Sequence, residues 1–125
     1  MQEYFKKSKE IYENLIDFLE AETEANIEFQ IFVDYISDHN ILENKEELRF
    51  LLRLISEISQ NHHRGPDFFS KIERIIKHFK ENIKKFFTNS EIFNIFKNDK
   101  RILLFLFEEK IIEMNGYIVK VMTKT

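Results

Sequence analysis

The chain has 125 residues, of which 43% are hydrophobic and 33% are charged, and its net charge is −3. This composition is that of one ordinary globular domain and excludes a disordered chain. The sequence has no cysteine, which excludes disulfides, thiolate metal sites and cysteine nucleophiles. Two glycines and one proline leave little material for the tight turns of a many-stranded β fold.

The sequence carries no readable targeting or membrane segment. The first ten residues, MQEYFKKSKE, are too polar for a signal peptide. The longest uninterrupted apolar run, residues 102–107, is far shorter than the roughly 20 residues of a membrane helix. We therefore expect a soluble, intracellular and cytoplasmic protein.

The charge is unevenly distributed along the chain. Residues 1–60 contain 6 basic and 14 acidic residues, a net charge of −8, whereas residues 61–125 contain 13 and 8, a net charge of +5. Opposite charges on the two halves favour one of three arrangements. In the first arrangement the two halves face each other in the fold. In the second the domain associates with itself or with a partner. In the third the two charges belong to separate solvated faces.

Apolar residues recur at three- and four-residue steps, which predicts an all-α fold. We expect six or seven short-to-medium helices in a compact helical array or irregular bundle, forming a single domain over residues 1–125. The first two helices are predicted over residues 3–21 and 27–39. Asn40 is predicted to end the second in the left-handed conformation.

The third and fourth predicted helices have the clearest signals. Asn44 followed by Glu47 has the spacing of an N-cap with a reciprocal carboxylate, which predicts a helix over 45–60. Its apolar side chains spread over about 200° of the helix, so we expect other elements to cover it on two sides. Pro66 favours the first turn of a fourth helix over 66–87, whose apolar residues fall within an arc of about 120°.

Two further helices and a tail complete the prediction. Asn89 or Ser90 is predicted to cap a short fifth helix, and Asn98 to cap a sixth over residues 99–113. The first half of the sixth helix is apolar all round, which predicts a central position. Asn and Gly at positions 115 and 116 should end it. Residues 117–122 form a short apolar tail, either helix or strand.

A polar cluster stands between the third and fourth predicted helices at His62, His63 and Arg64. Side chains of neighbouring residues rarely converge on one metal ion, and no HxxxH or carboxylate–histidine pattern accompanies the two histidines. We therefore interpret the cluster as a structural latch of the loop or as a contact with a partner.

Two adjacent glutamates, Glu108 and Glu109, follow the apolar run of the sixth helix. Adjacent helical positions point about 100° apart, which suits two environments better than one paired-carboxylate site. At least one carboxylate should be partly buried and therefore paired or protonated. The available cations are Arg101 on the same helix and the loop at 62–64. We hypothesise that Arg64 or a histidine of this loop hydrogen-bonds one of the two glutamates.

A candidate basic surface lies on the polar face of the fourth helix, at Lys71, Arg74, Lys77, Lys84 and Lys85. Such a helix favours contact with phosphate backbones or an anionic membrane. Its phenylalanines belong to the apolar arc, so they are core residues and not stacking platforms for bases, and acidic residues are mixed with the basic ones. Binding of nucleic acid or an anionic surface is therefore the alternative function.

No motif marks a catalytic or cofactor site. The sequence lacks a glycine-rich phosphate loop, and nothing singles out a serine–histidine–acid arrangement. We expect no enzyme activity, no cofactor and no metal ion. The leading interpretation is a non-catalytic protein–protein interaction or scaffold module with an unidentified protein partner, with self-association as an open alternative.

Two stretches resemble a known family. Residues 48–66, LRFLLRLISEISQNHHRGP, and residues 89–112, NSEIFNIFKNDKRILLFLFEEKII, resemble the helical region that precedes the ankyrin repeats in trichomonad-type protozoan proteins, a domain of unknown function. The resemblance covers residues 27–122. Its most specific parts are the N-H-H-R loop and the run NDKRILLFL at 98–106, in which Asp99 is an insertion relative to the family pattern.

The resemblance implies a scaffold or adaptor whose ankyrin repeats bind partners on a concave surface. It transfers no functional residue to this chain, and the chain contains no ankyrin repeat of its own. We expect either a fragment of a longer protein or a stand-alone copy of the module.

Overall fold

The computed structural model describes residues 2–21, 25–61 and 66–113. Within these ranges the chain forms seven α-helices and one 3₁₀ turn and has no strand, so the predicted all-α fold is confirmed. The elements in chain order are α1 (Gln2–Glu20), α2 (Ala25–Asp38), the 3₁₀ turn (Ile41–Glu43), α3 (Lys45–Asn61), α4 (Pro66–His78), α5 (Lys80–Phe86), α6 (Asn89–Phe96) and α7 (Lys100–Glu108).

Two asparagines set the boundaries around the 3₁₀ turn. Asn40 has φ of 56°, so it ends α2 in the left-handed conformation as predicted. The Oδ1 atom of Asn44 accepts hydrogen bonds from the backbone N–H groups of Glu46 and Glu47 at 2.9 and 3.1 Å, which confirms the predicted N-cap of α3. The carboxylate of Glu47 instead pairs with Lys7 Nζ at 2.7 Å, and this ion pair joins α3 to α1.

The predicted fourth helix over 66–87 is wrong as a single element, because the chain forms α4 and α5 with a joint at Phe79. The backbone of Phe79 has φ of −99° and ψ of 13°, outside the helical region. Its ring is buried and lies 6.2 Å from the ring of Phe32 in α2. The Ile83 N–H still donates to the Phe79 carbonyl at 3.0 Å, so the apolar periodicity continues across the joint and does not reveal it.

The predicted cap of α6 at Asn89 or Ser90 is wrong by one or two residues, because Thr88 is the N-cap. Its hydroxyl accepts from the Glu91 N–H at 3.2 Å, and the Glu91 carboxylate accepts from the Thr88 N–H at 2.9 Å. Thr88 and Glu91 thus form a complete capping box, in which each side chain accepts a hydrogen bond from the backbone N–H of the other residue.

The predicted cap of α7 at Asn98 is also wrong by one residue. Asp99 is the N-cap, and its Oδ1 accepts from the Ile102 N–H at 3.1 Å. A carboxylate suits this position because the first turn of a helix carries partial positive charge. The predicted central position holds only in part, because Leu104 is 44% exposed.

The α7 helix ends earlier than its predicted end at 113. Lys110 has φ of 60°, and its N–H donates to the Phe107 carbonyl at 3.0 Å, while the Ile111 N–H donates to the Leu106 carbonyl at 2.8 Å. These two bonds form a Schellman motif with lysine at the left-handed position. The predicted stop at 115–116 and the tail at 117–122 lie outside the described residues.

Helices α1 and α2 form an antiparallel hairpin. The end of α1 meets the start of α2, where the rings of Phe18 and Phe29 are 5.1 Å apart. Nearer the other end, the Tyr35 hydroxyl donates to the Glu10 carboxylate at 2.9 Å. Burial and this neighbouring carboxylate raise the pKa of the Tyr35 phenol, which therefore stays a donor.

Helix α3 lies in the middle of the array and packs against the 3₁₀ turn, α4 and α6. Five of its apolar residues are buried: Leu48, Leu51, Leu52, Ile55 and Ile58. Phe50 and Leu54 are only half-buried, so the predicted cover on two sides is incomplete. The side of α3 that carries Phe50 faces α1.

Candidate functional site

The cluster at His62, His63 and Arg64 lies outside the described residues, and its latch role stays a prediction. The two described histidines, His39 and His78, each pack against an aromatic ring. Within the described part of the chain, no group of three or more histidine, aspartate and glutamate side chains is placed to hold a metal ion.

Glu108, the last residue of α7, and Glu109, the C-cap of this helix, lie in different environments. Glu108 is exposed, whereas the side chain of Glu109 is 26% exposed, so one carboxylate is partly buried as predicted. The cation beside Glu109 is Lys77 of α4, with Nζ 4.0 Å from Oε1. The guanidinium of Arg101 lies 3.9 Å from the centre of the Phe69 ring, so this arginine packs on α4.

Two residues of the candidate basic surface bind other helices. Lys71 Nζ donates to the carbonyl oxygens of Leu19 and Ala21 at the carboxyl end of α1. A cation suits this position because the last carbonyls of a helix carry partial negative charge. Arg74 donates to Asn26 Oδ1 at 2.8 Å and lies over a phenylalanine ring of α2 at 4.0 Å. Both side chains therefore serve contacts between helices.

The other three residues of this surface are less constrained. Lys77 lies beside Glu109 as described above, and Lys85 lies 5.3 Å from the centre of the Phe86 ring. Lys84 is exposed and makes no hydrogen bond or ion pair with a described residue. Because four of the five cations have partners inside the domain, the surface offers few free charges to phosphates.

A cleft that the sequence did not predict separates the first half of α1 from α3. Its volume is about 230 Å³. Its apolar lining residues are Ile11, which is buried, and Phe50, which is half-buried, and the remaining lining residues are polar or charged: Lys7, Ser8, Glu46, Glu47, Arg49 and Arg53. The Lys7–Glu47 ion pair joins the two helices beside the cleft.

A second cleft lies on the other side of the same part of α3, against α6. Its volume is about 430 Å³, and its lining is Arg49, Arg53, Glu91, Asn94, Ile95 and Lys97. Arg49 and Arg53 are one helical turn apart and line both clefts. They form a ridge between the α1–α3 cleft, whose exposed lining is mostly apolar, and the cleft against α6, whose lining is mostly polar. We call the two clefts and this ridge the two-cleft surface.

The cations of the two-cleft surface differ in their availability to a ligand. Arg49 pairs with Glu46 on its own helix and with Glu91 of α6 at 3.2 Å, so its guanidinium is held in place. Arg53 and Lys97 are exposed, and neither forms a hydrogen bond or ion pair with a described residue. Their charges are therefore free to meet an anionic group.

The comparisons with known proteins give no identification. No protein-family model matches the sequence, and no curated protein or solved structure is detectably similar to it. The resemblance to the region preceding ankyrin repeats stays a prediction. Among the described helices, none combines the length and the apolar character needed to cross a bilayer.

Proposed function

We propose that this chain is a non-catalytic protein-interaction module that binds a segment of another protein at the two-cleft surface. The observation that supports this function is the position of Arg53, an exposed cation between an apolar and a polar cleft that has no ion pair with any residue the structure describes. A matching segment carries an apolar side chain for the cleft at Ile11 and Phe50. It also carries a carboxylate for Arg53.

The size of the α1–α3 cleft and the residue types of the two-cleft surface favour a peptide over a small metabolite. The α1–α3 cleft, at about 230 Å³, is smaller than the roughly 300–1,000 Å³ of typical small-molecule pockets. Arginine and aromatic side chains are the residue types that contribute most to protein interfaces. The half-buried Phe50 and the arginine ridge provide both. A second aromatic residue, the exposed Tyr12, lies one turn of α1 after Ser8, which lines the α1–α3 cleft.

The scaffold or adaptor role implied by the ankyrin-associated resemblance agrees with a peptide-binding surface of this kind. The alternative, binding of nucleic acid or an anionic surface through residues 66–87, has weaker support. Lys71 and Arg74 are bonded to neighbouring helices and are not free to follow a phosphate backbone.

A random-peptide display library tests the proposed function directly. Peptides are selected on the wild-type chain, and the affinity of each enriched peptide is then measured for the wild type and for the Arg53→Glu variant. We expect enriched peptides to share an acidic residue near an apolar one and to bind the wild type at least about tenfold more tightly than the variant. The matched control is Lys84→Glu, which makes the same charge change on α5 and should bind like the wild type.

Fluorescence anisotropy at two salt concentrations separates this function from the alternative. Peptides that bind Arg53→Glu and wild type equally would contradict the proposed site. Tight binding of mixed-sequence RNA or DNA that weakens steeply with salt, and that is reduced by Lys84→Glu, would favour the alternative.

A further inference from the structure

The outer side of α2 carries an exposed apolar and acidic stripe. Ile27, Ile31, Asp34 and Asp38 follow each other at steps of four, three and four residues, so they lie on one side of the helix. Ile27 is 56% exposed and Ile31 is 46% exposed, and both aspartates are exposed. Two neighbouring exposed isoleucines form an apolar patch that nothing in the described chain covers.

Acidic residues of α1 extend this stripe. Glu13, Asp17 and Glu20 are exposed and follow Glu10 at steps of three and four residues. Since Glu10 accepts the hydrogen bond from Tyr35, this side of α1 lies beside α2. The acidic residues of both helices and the two isoleucines together form one surface, which we call the acidic hairpin face. Its exposed acidic residues are five of the 14 in residues 1–60.

We infer that a second copy of this chain binds at the two-cleft surface through its acidic hairpin face. This inference rests on the proposed function, because it names an occupant for the same surface. The two surfaces are complementary in charge and in apolar content. Ile27 and Ile31 match the apolar cleft, and the aspartates that follow them match the free cations Arg53 and Lys97.

The positions of the two surfaces determine the type of assembly. On α1, Ile11 lies in the cleft, whereas Glu13 lies about 200° further round the helix, on the hairpin face. The two surfaces lie on opposite sides of α1. A single symmetric contact between two copies therefore cannot bury the two-cleft surface and the acidic hairpin face of both copies at once. The contact is heterologous, and each added copy leaves one surface of each kind free for the next.

The contact should be weak and sensitive to salt. Exposed ion pairs contribute little individually and are screened over about 10 Å at 0.1 M salt. The apolar contribution comes from two isoleucines and a cleft of about 230 Å³. We expect reversible association that rises with protein concentration and falls with ionic strength.

Sedimentation velocity at low ionic strength tests the inference with two variants, each of which disables one surface. Arg53→Glu reverses a charge at the two-cleft surface, and Ile31→Lys replaces an apolar residue of the hairpin face by a cation. We expect each variant alone to weaken self-association at least about tenfold. The matched controls are Lys84→Glu and Leu104→Lys, which make similar changes at exposed positions outside both surfaces and should associate like the wild type.

Mixing the two variants provides the decisive measurement. The Ile31→Lys chain keeps a working two-cleft surface, and the Arg53→Glu chain keeps a working hairpin face. The mixture should therefore form a 1:1 heterodimer with wild-type affinity, and assembly should stop there. Its formation also shows that both variants are folded.

Three results would overturn the inference. The first is a wild-type chain that stays monomeric at about 1 mM, which is the weak end of specific binding. The second is a mixture of the two variants that associates no more than either variant alone. The third is a loss of association in the control variants as large as that in Arg53→Glu and Ile31→Lys. If the displayed peptides still bind in an Arg53-dependent way while the chain stays monomeric, the proposed function stands and only the second copy is excluded.

Discussion

The Ser59 hydroxyl donates a hydrogen bond of 2.6 Å to the Asp99 carboxylate. Ser59 lies in α3 and is only 3% exposed, whereas Asp99 is the N-cap of α7. One carboxylate oxygen of Asp99 accepts from Ser59 and the other from the Ile102 N–H. A single side chain therefore starts α7, ties it to the central helix and satisfies a buried hydroxyl that would otherwise destabilise the fold.

Replacing Asp99 by alanine should lower the free energy of unfolding by about 2 kcal/mol, because the cap is lost and Ser59 loses its acceptor. Asp99→Asn should lose less, since an amide oxygen can still cap the helix. Urea unfolding at neutral pH measures both variants. Asp38→Ala, at an exposed position near the end of α2, is the control and should change stability by under about 0.5 kcal/mol. If Asp99→Ala behaves like this control, the Ser59–Asp99 bond does not stabilise the fold.

Lys71 should matter for stability more than an ordinary surface lysine. Lys71→Met removes the ammonium that bonds the last carbonyls of α1 and keeps most of the side-chain length. We expect a loss of about 1 kcal/mol, from a hydrogen bond to a charged group at the favourable end of a helix. Lys84→Met makes the same change at an exposed position of α5 and should be neutral in urea unfolding. Equal free energies of unfolding of the two variants would show that Lys71 does not stabilise the contact between α1 and α4.

Local signals were enough to predict the helices and most of their ends. The stop at Asn40 and the cap at Asn44 depend on side chains that act within one turn, so the sequence reveals them. The caps at Thr88 and Asp99 were missed by one or two residues, because an asparagine lay beside a better cap. The joint at Phe79 depends on packing against α2, which local periodicity does not report.

The candidate site was harder to predict, because it depends on how helices distant in sequence are placed. In the sequence, basic residues on the polar face of a helix indicate a binding surface, and this pattern includes Lys71 and Arg74. The structure uses both for contacts between helices. Arg49 and Arg53 flank Phe50 in the sequence, but the broad apolar arc of α3 suggested that Phe50 would be covered. Only the gap between α1 and α3 leaves this aromatic ring half-exposed beside two arginines.

The latch hypothesis for the loop at 62–64 now favours Glu109 over Glu108. Glu109 is the more buried of the two, and the 4.0 Å separation from Lys77 is too long for a hydrogen bond. If Arg64 bonds this carboxylate, the double-mutant cycle of Arg64→Ala with Glu109→Ala should show a coupling of about 1 kcal/mol. The same cycle with the exposed Glu108→Ala serves as the control and should be additive. Additive losses in both cycles would favour a partner-binding role for the loop.

Glu91 should make the stability of the domain depend on pH under acidic conditions. Its carboxylate accepts from Lys45 Nζ at 2.8 Å, from the Thr88 N–H at 2.9 Å and from Arg49 at 3.2 Å. The hydrogen bond from Lys45, followed by that from Thr88, holds the pKa of Glu91 at about 2, below its ordinary value of 4.5. The bonds from Lys45 and Arg49 join α6 to α3, and both depend on the ionised carboxylate.

The direction of the pH effect follows from the lowered pKa of Glu91. Above pH 4.5 the group is ionised in both the folded and the unfolded state, and its full contribution to stability is present. This contribution is lost as the pH falls towards about 2.

Glu91→Gln keeps an acceptor for the Thr88 N–H but carries no charge, so it removes the titration and leaves the capping geometry. The difference in free energy of unfolding between wild type and Glu91→Gln should therefore shrink as urea unfolding is repeated from neutral pH downwards. Glu57→Gln, at an exposed position of α3, should show a constant difference over the same range. A Glu91→Gln difference that is equally constant would mean that the ionised carboxylate does not stabilise the contact between α3 and α6.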